Sequence, residues 1–119
     1  MAKLRLLAAA LAGLSAQPSF ERDPVKVDPD RYRVELDNDK VRVIRISYGP
    51  GEKSVMHQHP PGLVVFLTDG DFEFTYPNGE TENIQAKAGQ SQWFAGTWEH
   101  LAENISGKAF EALYVEVKT

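Results

Sequence analysis

An all-β fold, built as one small antiparallel barrel or sandwich, is what this chain predicts. From residue 32 onward it breaks into nine or ten short runs rich in β-branched and aromatic residues. Turn residues (Asp69-Gly70, Pro77-Asn78-Gly79, Ala88-Gly89, Ser106-Gly107) divide those runs at close, even intervals. No stretch after residue 31 carries the 3.6-residue apolar period of a helix. Short strands with frequent turns and no helices between them favour antiparallel pairing over parallel crossovers.

The elements follow in order. Residues 1–17 set Lys3 and Arg5 ahead of the apolar run Leu6 to Leu14, and then the small residues Ser15 and Ala16. A basic start, a short apolar stretch and a small-residue end is the layout of a secretory signal peptide, with Ala10-Leu11-Ala12 as another cleavage site. The run is too short to be a permanent membrane span. Its alternative reading is an Ala/Leu-rich amphipathic helix packed on the barrel. Residues 18–31 carry Pro18, Pro24 and Pro29 among charges, which reads as an extended arm rather than a helix.

The barrel domain is expected over 32–119. Its first strand, Tyr32 to Leu36, sets Val34 and Leu36 on one face and Arg33 and Glu35 on the other. After the turn at Asp37-Asn38-Asp39 comes Val41 to Tyr48, and beyond Gly49-Pro50-Gly51 a strand with two histidines. Leu63 to Leu67 is apolar enough for burial on both faces. Asp69-Gly70 signals a hairpin into Asp71 to Tyr76, and Pro77-Asn78-Gly79 a second one into Thr81 to Ala86. Ser91 to Phe94, His100 to Asn104 and Phe110 to Val117 complete the set.

Composition narrows the function classes. A hydrophobic fraction of 42% and a charged fraction of 25% are ordinary for a folded domain. The net charge of −4, with scattered Lys and Arg, gives no footprint for nucleic acid. The chain has no cysteine, which excludes disulfides, thiolate metal sites and a cysteine nucleophile, and leaves the compartment open.

The chemistry rests on the three histidines. In His57-Gln58-His59 the two imidazoles share one strand face, with Cα atoms roughly 6–7 Å apart. That separation lets both reach one ion at the ~2.0–2.1 Å typical of zinc–nitrogen bonds. His100 lies far along the chain and must arrive on another strand, which suggests a metal inside a small β-barrel.

Residues 51–104 resemble the two motifs of the cupin superfamily. Gly51, His57, His59 and Gly70 stand in register with the first, whose glutamate falls on Leu63, or on Val64 at the other permitted spacing. Gly89, His100 and Asn104 match the second, in which Ala95 and Thr97 replace a proline and a glycine. The resemblance implies a single-domain jelly-roll barrel with His57, His59 and His100 as ligands to one divalent transition metal: Fe, Zn, Cu, Ni or Mn. It also implies a three-histidine site without the usual carboxylate, of the kind that some thiol and diketone dioxygenases use. Small cupins similar to this chain often dimerise through their sheets, so a homodimer is expected, with the arm at 18–31 reaching across.

Other residues offer less. Gln92, Asn104 and Tyr48 could orient a ligand and could equally be turn or surface residues. Glu99 points away from His100 if the strand has begun, and Glu73 falls outside if Phe72 and Phe74 face the core. Trp93, Phe94 and Trp98 could wall the cavity or simply pack. No catalytic side chain is identified and no organic cofactor motif is present. Two functions follow: a metal-dependent, oxygenase-type enzyme for a small organic molecule, or a non-enzymatic cupin that binds or senses a metal or small ligand. The signal-like start points to a periplasmic or secreted protein, and its absence would point to a cytoplasmic one.

Overall fold

The computed structural model describes residues 21–118; the signal-like segment and the first residues of the arm lie outside them. One helical turn and nine strands follow: α1 (Pro24–Val27), β1 (Tyr32–Asp37), β2 (Val41–Tyr48), β3 (His57–His59), β4 (Gly62–Phe66), β5 (Gly70–Thr75), β6 (Thr81–Ala86), β7 (Ser91–Phe94), β8 (Trp98–Asn104) and β9 (Phe110–Val117). They form two antiparallel sheets, one in the order β1-β2-β9-β4-β7 and the other β3-β8-β5-β6. Alternation builds the interior. On β9, Phe110, Ala112, Tyr114 and Glu116 are buried while the residues between them are less so, as a strand with one face on a core requires. Ile44 and Ile46 of β2, Val64 of β4, Phe72 of β5 and Ala102 of β8 extend that core across both sheets, together with Tyr32, Tyr48 and Ala86.

Four expectations change. The arm is not wholly extended: Pro24–Val27 is a turn of helix, with Asp23 accepting a hydrogen bond from the Val25 N–H at 3.1 Å. Pro24 sits where the missing N–H costs nothing. The arm also folds onto its own barrel, where the Arg22 carbonyl accepts from the Gln58 N–H of edge strand β3 at 2.7 Å. On β1, Val34 and Leu36 do not share a face. A bulge between them pairs Val34 with Ile44 but Leu36 with Val43, and one extra residue flips the parity of all that follows.

Asp69-Gly70 is not a hairpin, because β4 and β5 lie in different sheets and the segment is a corner between them. Gly70 is required there by close approach: a Cβ would lie 2.5 Å from the Phe110 ring. The expected hairpin at Pro77-Asn78-Gly79 does form between β5 and β6, with Gly79 at φ 88°. Finally, Leu63 to Leu67 is buried on one face only. Val64 points inward, whereas Leu63 and Val65 stay half-buried on the outer face and Leu67 is exposed. Among the described residues no helix is long and apolar enough to cross a membrane.

Candidate metal centre

The three histidines meet because β3 and β8 are paired antiparallel with His57 directly opposite His100 and His59 opposite Trp98. Period-two geometry then puts all three imidazoles on the inner face. The ring centroids of His57 lie 4.7 Å from those of both His59 and His100, and those of His59 and His100 are 5.2 Å apart. One nitrogen from each falls within 4.8 Å of the others. Nitrogens bound tetrahedrally at about 2.05 Å stand roughly 3.3 Å apart, so an ion would draw the rings inward by up to about 1.5 Å.

All three are buried, with 0%, 2% and 2% of their surface exposed for His57, His59 and His100. Burial pushes the His57 imidazole down to about 4. It holds His59 well below the ordinary histidine range, aided by the neighbouring charges of His57, His100 and Arg42, and does the same to His100, aided by His57. At neutral pH the three are therefore uncharged and offer lone pairs, the state a metal needs.

Their hydrogen bonds divide them. His57 Nδ1 donates to the Val55 carbonyl at 2.8 Å, which fixes its proton there and leaves Nε2 bare. The Tyr32 hydroxyl lies 3.2 Å from that Nε2 and is itself hydrogen-bonded to the Tyr48 hydroxyl. By contrast, His59 Nδ1 and both nitrogens of His100 are buried with no hydrogen-bond partner. Aromatic rings hold the imidazoles in place: Trp98 stacks on His59 at 4.6 Å, and Phe74 meets His100 edge-on at 4.1 Å. An orphaned, ring-clamped, neutral donor set fits a divalent transition metal.

Beside the histidines opens a cavity of about 60 Å³, room for roughly four or five water-sized groups. Val64, Phe66, Phe72, Phe94, Trp98 and Phe110 wall it, Gln92 adds an amide, and among the described residues no Asp, Glu, Lys or Arg lines it. The other expected residues sort clearly against this frame. Phe94 and Trp98 do wall the cavity, but Trp93 does not; it pairs with Leu63 on the outer face and is 54% exposed. Asn104 is buried away from the cavity, where its Nδ2 donates to the Gly49 and Lys108 carbonyls at 3.0 and 2.8 Å. It clamps two loops. Tyr48 stands behind Tyr32. Glu99 points outward to Arg22 at 2.5 Å, and Glu73 is exposed. Of the two positions allowed for the cupin glutamate, Val64 faces the cavity and Leu63 does not.

Sequence reasoning missed Tyr32 and Tyr114. Tyr114 packs on His59 with centroids 4.9 Å apart and donates to the Pro60 carbonyl at 2.5 Å. Burial raises the Tyr48 and Tyr114 phenols to about 12 and takes Tyr32 well above the usual range, with Tyr48 adding to it. The alternation of β9 marks Tyr114 as inward, but nothing in sequence links β1 or β9 to the histidine strands.

No family model matches the chain, and no curated protein does. Solved structures do. A cupin domain from Bordetella pertussis superposes with a TM-score of 0.69 at 28% identity, over 74% of this chain and 92% of that one. A double-stranded β-helix protein of Klebsiella pneumoniae gives 0.57 at 22% identity, over 71% and 75%. Oxalate decarboxylase of Bacillus subtilis, whose centres are Mn(II), gives 0.53 at 16% identity; the match covers 67% of this chain but only 22% of that one. With the two antiparallel sheets described above, these likenesses establish a cupin fold, the double-stranded β-helix.

Proposed function

We propose that this chain is a metal-binding cupin that holds one divalent transition metal on His57, His59 and His100 and acts as an oxygenase-type enzyme on a small, largely apolar organic molecule. The observation that carries the reading is the set of buried imidazole nitrogens without partners. Each such group costs about 1–3 kcal/mol when left unsatisfied, and one ion would satisfy a nitrogen of each histidine. Fe, Zn, Cu, Ni or Mn all suit imidazole ligands to differing degrees. The site in this reading has no glutamate ligand, since Leu63 and Val64 are both apolar, so the ion keeps its full positive charge. Bound there with open positions, it would supply Lewis-acid or redox chemistry. The aromatic walls would take an apolar substrate body and exclude water.

A second reading, a binding or sensing cupin without catalysis, is favoured by the lack of any carboxylate or lysine in the cavity lining. Two measurements separate the readings. Protein purified without chelator or histidine tag is expected to carry about one equivalent of a divalent ion. Stoichiometry below about a tenth that added Fe, Zn, Cu, Ni or Mn does not raise would sink both. Oxygen uptake by the iron form with thiols and diketones supports the enzyme, whereas silence across that panel favours the binder.

The signal-like residues 1–17 support export to the periplasm or outside the cell, which a mature mass lacking them would establish. We also take the protein to be a homodimer, because an apolar row crosses the whole outer face of the five-stranded sheet. Leu36, Val43, Val115, Leu63 and Trp93 are successive cross-strand partners along it.

A further inference from the structure

Tyr32 is the hydroxyl-bearing side chain that reaches His57 Nε2, and its role follows from counting protons. His57 Nδ1 carries the ring proton and donates it in a hydrogen bond to the Val55 carbonyl, so Nε2 can only accept, and the group beside it is the Tyr32 hydroxyl at 3.2 Å. Tyr32 therefore donates to Nε2, and its oxygen accepts from Tyr48. A metal on His57 must use that same Nε2 lone pair, because Nδ1 is committed. Loading the site thus strips a buried hydroxyl of its acceptor, which is costly unless another takes its place.

Geometry supplies the replacement. With the ion on that lone pair about 2.1 Å from Nε2, the hydroxyl must leave the lone-pair axis; at right angles to it, still 3.2 Å from Nε2, its oxygen would stand about 4 Å from the ion. One ligand atom spans that gap, about 2.1 Å from the ion and about 2.8 Å from the hydroxyl. Tyr32 also lines the cavity, 2% exposed, while the walls around it are otherwise almost wholly apolar.

We infer that Tyr32, positioned by Tyr48, is a hydrogen-bond donor aimed at the metal's open coordination position, and that it selects small anionic ligands there. The inference rests on the three-histidine metal reading and adds to it the class of molecule that the site takes: one whose donor atom is anionic and carries lone pairs for both the ion and the phenol. Hydrogen bonds to such charged groups are roughly twice as strong as neutral ones, and the dry cavity strengthens them further.

The test uses the copper(II)-loaded protein and azide, whose binding to copper is followed by its charge-transfer absorption. Tyr32→Phe is expected to keep one copper equivalent but to bind azide about tenfold more weakly, the effect of one hydrogen bond to an anion. Tyr48→Phe, which leaves the donor but loosens it, is expected to weaken azide by about threefold, and it carries the test if Tyr32→Phe does not fold. Equal azide affinity in the variant and the parent, with copper retained, overturns the donor role and means that the phenol turns back to Tyr48. A phenolate-to-copper band in the parent, lost with the copper in Tyr32→Phe, overturns it differently by making Tyr32 a ligand. A parent that takes up neither copper nor any other divalent ion refutes the metal reading itself.

Discussion

Three buried imidazoles without counter-charges make the metal-free protein sensitive to acid. Each is neutral in the fold and free to protonate once unfolded, so the unfolded chain binds more protons between the two pKa values. His57 falls from the ordinary 6.5 to about 4, and His59 and His100 shift the same way. Stability from this source is fully present above about pH 6.5 and is lost as the pH falls toward 4. For His57 alone the loss amounts to about 3 kcal/mol. Urea unfolding of metal-free protein at pH 7 and pH 4.5 is expected to show the drop, and His100→Ala to flatten part of it while abolishing tight metal binding. A parent equally stable at both pH values would contradict the burial. At this scale the histidines are legible in sequence because ligand type and spacing are local properties. Tyr32 is not: nothing in the run from Asp30 to Arg33 says that a phenol will stop 3.2 Å from His57 Nε2.

Between elements, one charged cluster ties the arm to the barrel. Arg42 of β2 and Glu116 of β9 are direct cross-strand partners joined by bonds of 2.7 and 2.9 Å, and Arg42 also reaches Asp23, the cap of α1, at 3.0 Å. Burial would lower the guanidinium, but its hydrogen bonds to Glu116 and Asp23 outweigh it and raise it. Glu116→Ala leaves that partly buried cation with Asp23 as its remaining partner, and is expected to cost about 2 kcal/mol in a denaturant melt. A loss below about 0.5 kcal/mol would show the pair to be solvated in solution. Asn104→Ala removes the clamp on the Gly49 and Lys108 carbonyls and is expected to cost about 2 kcal/mol with metal stoichiometry unchanged. The strands themselves were legible from alternation and turn chemistry. The bulge in β1 and the corner at Asp69-Gly70 were not, because each is set by a neighbouring strand's register or by the Phe110 ring.

Over the whole molecule the two sheets differ in what they show the solvent. The outer row from Leu36 to Trp93 is the surface we assign to the homodimer, and the half-buried Leu63 lies in it between Val115 and Trp93. Leu63→Glu should leave the fold intact and give a monomer by light scattering, since a charge buried within an apolar interface is strongly disfavoured. A parent that is monomeric up to about 100 µM, well above the Kd of a micromolar contact, would refute the assignment.

Sequence alone determined the all-β class, most strand positions and the histidine register, because alternation, turn residues and ligand spacing act within a few residues of chain. Only the tertiary structure decided which faces turn inward beyond a bulge, that Val64 rather than Leu63 meets the cavity, and that Asn104 is a clamp. It also set Tyr32 from β1 against His57 of β3, in the opposite sheet. Those are contacts between strands distant in sequence, and strand pairing across two sheets is a property of the packed barrel that no local pattern encodes.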